Sequence, residues 1–255
     1  MFRILYSDIR KMLTHKGFRI CLLVNVFYHI FTVITLMLVD HFAIGMGLSA
    51  DGVAFEYASL AGILVTASTL LTTTCEFSDG CMRNKLISGV RRYEIVLSSV
   101  ITGMLQGIIH SMAACLTSTI TNAVFTTGFD TYTVPEVADY WLMITLACMA
   151  IGAFSTVLIL ILGGGKAAYI VGLAVAVTFK IMSLRILDKL FPTSGHISIT
   201  GNKLAAYRFM DMFVPYVNLS ARPHYDFWCY LAGSFGLIII STVIGILVFN
   251  KKEIS

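Results

Sequence analysis

Six stretches of this chain carry no Asp, Glu, Lys or Arg: residues 20–39, 57–75, 95–129, 140–165, 167–179 and 227–250. An α-helix rises about 1.5 Å per residue, so crossing a hydrocarbon core of about 30 Å takes about 20 mostly apolar residues. Five stretches meet that requirement. The fifth in order is short, but it continues through Lys180 to Leu184, and a lysine near a helix end carries its ammonium to the interface on an apolar stem. The pattern predicts an all-α membrane protein with six transmembrane helices, at about 20–39, 53–75, 95–122, 140–162, 167–184 and 228–249, forming a single domain over 1–255. Composition excludes the competing classes. The chain is 57% apolar and 13% charged, against roughly 25% charge in a typical globular domain. A net charge of +4 is small for a nucleic-acid binder. Six cysteines without a C-x-x-C pair make neither a disulfide framework nor a zinc site.

Basic residues set the expected orientation. Arg3, Arg10, Lys11, Lys16 and Arg19 precede the first span. Arg83, Lys85, Arg91 and Arg92 lie between spans two and three, Lys166 between four and five, and Lys251 and Lys252 in the tail. The opposite side has none in the loops 40–52 and 126–139. Its basic residues are Arg185, Lys189, Lys203, Arg208 and Arg222 in the long loop 185–227, with Lys180 near the end of span five. The positive-inside rule then predicts both termini in the cytoplasm (N-in/C-in) and a multi-pass protein of a plasma membrane. The first apolar run is 20 residues long and ends at Asp40-His41 without an A-x-A site. It reads as a retained anchor rather than a cleaved signal peptide.

Three pieces lie outside the expected spans. In residues 1–18, Phe2, Leu5, Ile9, Met12 and Leu13 share one helical face, with Arg3, Ser7, Arg10, Lys11 and Thr14 elsewhere. That is the pattern of an interfacial amphipathic helix, which is the expectation here, with a plain basic anchor as the competing account. The loop 76–94 runs acids first and bases after, which favours a short helix, and Gly89 is placed to stop it. Such a helix seats in a groove on a partner; a solvated loop obeying the charge rule accounts for the same residues. The loop 185–227 is crowded by Leu204, Tyr207, Phe209, Met210, Met212, Phe213 and Tyr216 and punctuated by Pro192, Pro215 and Pro223. Short helices along the outer interface fit that composition.

Polar residues recur at helical spacing inside the spans. Ser59, Gly62, Thr66, Thr69 and Thr73 share a face of span two. Gly103, Gln106, His110, Ala114, Thr117 and Thr121 share one of span three, and Asn25, His29 and Thr32 one of span one. Polar groups in hydrocarbon need partners, so these faces turn toward the bundle, a partner subunit or a wet cavity. Asn25, His29, Thr66, Thr69, Gln106 and His110 are the candidates for a translocation path, with ordinary helix packing as the competing account. Gly103-x-x-x-Gly107 allows close helix approach.

No catalytic residue and no metal ligand set is expected. Neither H-E-x-x-H nor G-x-S-x-G occurs. The Gly163-Gly164-Gly165-Lys166 run lacks the earlier glycine and the following Ser or Thr of a phosphate loop, since residue 160 is Leu and residue 167 is Ala. It reads as a tight turn between spans.

The loop Glu76, Gly80, Arg83-Asn84-Lys85-Leu86, Gly89 and Arg92, leading to Ser98, together with the tail Phe249-Asn250-Lys251-Lys252-Glu253-Ile254, resembles the permease subunit of bacterial type-2, exporter-class ABC transporters. The resemblance is specific over about 76–98 and the tail, and covers the rest as architecture. It implies a coupling helix at 77–88 docked on a separate cytoplasmic ATPase dimer through Glu76, Gly80, Arg83, Lys85, Leu86, Gly89 and Arg92. It also implies a second permease copy or sibling across a membrane-plane seam, and a short extracellular helical hairpin before the last span. ATP and magnesium would sit on the partner, so this chain would be no enzyme and hold no cofactor. The small size and absence of a large outer domain resemble permeases that export antimicrobial peptides or confer immunity to them. A path of Thr, Ser and aromatics suits an amphipathic peptide or lipophilic drug. An ion-coupled secondary carrier and a non-transporting scaffold or sensor remain the alternatives.

Overall fold

The computed structural model describes residues 1–45, 47–192, 199–219 and 227–251. Arg222, Pro223, Lys252, Glu253 and Ile254 lie outside the described residues. Nine α-helices and no strand occur among those described: α1 (Phe2–Thr14), α2 (Lys16–Val39), α3 (Ala58–Ser78), α4 (Cys81–Ile87), α5 (Arg92–Phe125), α6 (Val134–Leu162), α7 (Lys166–Leu190), α8 (Asn202–Phe213) and α9 (Phe227–Lys251). Six of them, α2, α3, α5, α6, α7 and α9, are long and apolar enough to cross a membrane, so the chain is a multi-pass membrane protein by length and composition. Successive long helices alternate in direction. One end of the bundle, called the near end below, gathers α1, α4, the α6–α7 turn and the close of α9. The other, the far end, gathers 40–57, 126–133 and α8.

The middle of the bundle is α5 against α6, the most extensive helix pair, and glycine makes it. A Cβ on Gly103 would lie 2.6 Å from the Gly152 carbonyl oxygen, and one on Gly152 would meet the Gly103 carbonyl; a Cβ on Gly107 would meet the Cys148 carbonyl. The two backbones therefore touch directly, as small residues permit in membranes, where dispersion and not water drives association. Large side chains line the outward faces instead: Phe27 and Phe31 on α2, Leu116 and Ile120 on α5, and Ile239 on α9 are all exposed.

Helix ends follow local chemistry. α6 starts with a capping box, in which Glu136 Oε2 accepts from the Thr133 amide and hydroxyl at 2.8 Å each, satisfying donors left free in a first turn. It stops at Gly163, whose φ of +90° favours glycine. Span two begins later than the expected residue 53, at Ala58, close to the start of the charge-free run at 57. Residues 53–57 form a buried turn, with the Ala54 carbonyl held by Ser118 Oγ at 2.8 Å, and α3 starts at Ala58. Span five runs further, to Leu190. Between α7 and α9 the described residues hold one helix, α8, where the resemblance implies a hairpin. After it the chain turns back inward: Tyr216, Val217 and Leu219 are buried. The Tyr216 hydroxyl hydrogen-bonds Thr66, and Lys180 Nζ donates to the Leu219 carbonyl at 3.3 Å.

Two far-end loops are stitched together. Ala50 N donates to Gly128 O at 2.9 Å and Thr127 N to Leu48 O at 3.0 Å. Asp51 Oδ2 accepts from the Asp130 and Thr131 amides at 3.0 and 2.8 Å. Burial pushes the Asp51 carboxyl up, but these amide donors outweigh it and hold it below the ordinary aspartate value. A depressed folded pKa gives stability that is fully present above the unfolded value of about 3.9 and lost as pH falls through the folded one. In Asp51→Ala, the Asp130 and Thr131 amides are expected to exchange with solvent about tenfold faster at neutral pH, read by hydrogen exchange. In the parent chain that protection falls away in acid.

Candidate functional site

The near end concentrates the charged chemistry. α1 is an amphipathic helix by sequence, yet one of its acids points inward: Asp8 is 1% exposed and shares a face with buried Met12, one turn on. Its two oxygens are both used. Oδ2 accepts from Ser98 Oγ on α5 at 2.7 Å, and Oδ1 pairs with Lys85 Nζ on α4 at 2.8 Å. Lys85 Nζ also donates to Glu76 Oε2, near the end of α3, at 2.9 Å. One ammonium thus binds α1, α3 and α4 together, and Ser98 adds α5. Burial pulls the Lys85 pKa down, but Glu76 and Asp8 outweigh it and leave it above the ordinary lysine value. A buried charge survives only when paired and hydrogen-bonded in this way.

Gly80 and Gly89 give α4 its short length. Gly80, at φ +67°, breaks the chain from α3 and opens α4. Gly89, at φ +84°, closes it in a Schellman turn: the Gly89 amide donates to the Leu86 carbonyl at 3.0 Å and the Val90 amide to the Lys85 carbonyl at 3.2 Å. The helix is Cys81–Ile87, shorter than the 77–88 that the resemblance implies, because 77 and 78 still belong to α3. Met82 is buried under it and Leu86 is half-buried against the same apolar cluster. Facing out are Arg83, Asn84 and Ile87, the last 72% exposed.

Arg92 opens α5 and reaches the end of α9, where its Nη1 donates to the Phe249 and Asn250 carbonyls at 3.0 and 3.3 Å. A cation there satisfies carbonyls that a helix C-terminus leaves free. The loop that carries the resemblance therefore meets the described start of the tail, Phe249 and Asn250. Of the seven residues assigned to coupling, Arg83 alone turns an exposed charge outward. Lys85 and Arg92 spend donors inside the chain, Glu76 is half-buried, and Gly80, Gly89 and Leu86 shape or seat the helix. Exposed Ile87 and buried Asp8 were missed. Asp8 left a signal: an acid beside an apolar stripe in an otherwise basic segment calls for a cation.

The six path candidates are all buried, at 2% exposure or less. Five of them hydrogen-bond between helices through their side chains; His110 offers only its main-chain carbonyl, and its ring nitrogens have no hydrogen-bond partner among the described residues. Asn25 Nδ2 donates to the His110 carbonyl at 3.1 Å, and His29 Nε2 lies 3.1 Å from Thr121 Oγ1, joining α2 to α5. Gln106 Nε2 donates to Thr72 Oγ1 at 2.9 Å and Thr69 Oγ1 approaches Gln106 Oε1 at 3.5 Å, joining α3 to α5. Thr66 accepts from Ser155 Oγ at 3.2 Å and meets Tyr216. Gln106 lines a near-end cavity of about 480 Å³; the other five do not. Among the described residues no three His, Cys, Asp or Glu side chains gather as a metal site. No protein-family profile matches the chain, and no characterised protein is significantly similar to it in sequence.

Proposed function

We propose that this chain is the transmembrane permease subunit of an ATP-driven exporter in a bacterial cytoplasmic membrane, working with a separate ABC ATPase dimer and a second permease copy or sibling. The observation that carries the reading is α4: a seven-residue helix, stopped at both ends by positive-φ glycines, anchored inward through Lys85 and turning Arg83 and Ile87 outward. A short rigid helix with one apolar and one cationic side chain outside is suited to a groove on a soluble partner, where a few buried anchors carry most of the binding energy. The basic residues of the near end favour the cytoplasmic side, with both termini inside. On α1, Phe2, Tyr6 and Leu13 are exposed, which suits a helix lying in the headgroup layer. The chain has no nucleotide-binding motif, so the fuel must come from the partner. The cargo that fits the Thr-, Ser- and aromatic-rich spans is an amphipathic peptide, toxin or lipophilic drug.

The test is co-purification from gently solubilised membranes. A soluble Walker-type ATPase is expected to accompany the chain and to bind at least about tenfold more weakly to Arg83→Glu/Ile87→Asp. The reading is overturned if no ATPase accompanies the parent chain and transport continues on an ion gradient after ATP is depleted, which is the behaviour of a secondary carrier.

A further inference from the structure

The near-end cavity lies in the elbow between α1 and α2, against α3 and α5. Its volume of about 480 Å³ falls within the roughly 300–1,000 Å³ of small-molecule sites. Deep in it sit Asp8, Glu76, Ser99 and Gln106; Lys11 and Lys16 line it from the exposed rim. Two features point to a ligand. Ser99 is 7% exposed, and its buried Oγ has no hydrogen-bond partner among the described residues. A buried hydroxyl left in that state costs free energy unless something enters to satisfy it. The second feature is charge. Two carboxylates, Asp8 and Glu76, share the one ammonium of Lys85, so the deep part holds more acid than base; burial, with Asp8 beside it, keeps the Glu76 carboxyl above its ordinary value despite Lys85. His15 does not cancel it: burial lowers its pKa more than Asp79 raises it, keeping the ring neutral at pH 7. At the rim, Lys11 and Lys16 outnumber the exposed Asp79. The cavity is negative inside and positive at its mouth.

We infer that this cavity binds the head group of a zwitterionic primary-amine phospholipid, of the ethanolamine-phosphate class, with the ammonium beside Asp8, Glu76 and Ser99 Oγ and the phosphate between Lys11 and Lys16. A primary ammonium brings three N–H donors for the carboxylates and the open hydroxyl, whereas a quaternary one brings none. Two flanking lysines suit a phosphate as point charges. The lipid is the source that the surroundings favour, because α1 exposes Phe2, Tyr6 and Leu13 next to six membrane-crossing helices. The site stands apart from the exporter reading, since it needs the near end at a membrane surface and no ATPase.

The experiment titrates delipidated, detergent-purified protein with phosphatidylethanolamine, phosphatidylcholine, phosphatidylglycerol and free phosphoethanolamine, with binding read by native mass spectrometry. Phosphatidylethanolamine is expected to bind about tenfold more tightly than the other two lipids, and Lys11→Ala/Lys16→Ala and Ser99→Ala to weaken it by about tenfold and severalfold with helical content unchanged. Weaker binding of free phosphoethanolamine identifies the membrane as the source; equal binding identifies a soluble phosphoamine read by the same groups. Equal affinity for all three lipids, or full retention of phosphatidylethanolamine by the double lysine variant, overturns the assignment.

Discussion

Replacing Gly152 by leucine is expected to unfold the centre of the bundle. The α5–α6 contact is backbone against backbone, and even a single Cβ at Gly152 would run into the Gly103 carbonyl. No flexible side-chain end is there to move aside, so the helices must separate along a length that also includes Gly107 and Cys148. Overpacking a core costs about 1–3 kcal/mol where neighbours can shift, and here the neighbour that must shift is main chain. The expected readout is a melting temperature in detergent lowered far beyond that of any surface change, with a loss of monodisperse protein on sizing. Gly152→Ala should show a smaller drop of the same sign. Gly52→Ala is the control. Gly52 is exposed and a Cβ there meets nothing within 4 Å, and open positions of this kind usually change stability by less than about 0.5 kcal/mol. If Gly152→Leu melts like the parent, the close approach is not what holds these helices.

The second large effect is at Lys85. Lys85→Met removes the shared cation and leaves Asp8, at 1% exposure, and half-buried Glu76 as facing acids. Breaking a buried pair by deleting one partner costs about 3–5 kcal/mol, because the surviving charge is stranded. The loss should be greatest at neutral pH and shrink in acid, because burial already holds the Glu76 carboxyl above its ordinary value and losing Lys85 raises it further, so acid lets it take up a proton. Adding Asp8→Asn and Glu76→Gln should restore most of it, since isosteric amides can hydrogen-bond without the charge. Thermal unfolding of the single and triple variants checks this. A triple variant as unstable as the single would mean that Lys85 matters for its packing and not for its charge.

The spans were legible because hydrocarbon tolerates few charges: the gaps between Asp, Glu, Lys and Arg outline six helices. Close approach at Gly103 and Gly107 was legible for a similar reason, since small residues four apart form a smooth strip on any helix. Helix ends were harder. The start of α3 at Ala58 depends on Ser118 holding a carbonyl far along the chain, and the length of α4 depends on Gly80 adopting a left-handed turn. Spacing also identified inward-facing polar positions without their partners. The same pattern serves a lined channel or a zipped seam, and for Asn25, His29 and Thr66 the structure has hydrogen bonds between helices. Tyr216 reads by sequence as an interfacial aromatic; it is buried because the chain folds back to Thr66, 150 residues earlier. Asp8 needed Lys85, Glu76 and Ser98 from three other helices before its position made sense.

The glycine seam has a mechanical corollary. Two helices whose main chains already touch have no slack to slide or splay, so α5 and α6 behave as a keel for the whole molecule. Any rearrangement must be borne by the pieces hung around that keel, through the joints at His15, Gly80 and Gly89. A small molecule meant to hold the protein in one shape would do better wedged at one of those joints than aimed at its rigid middle.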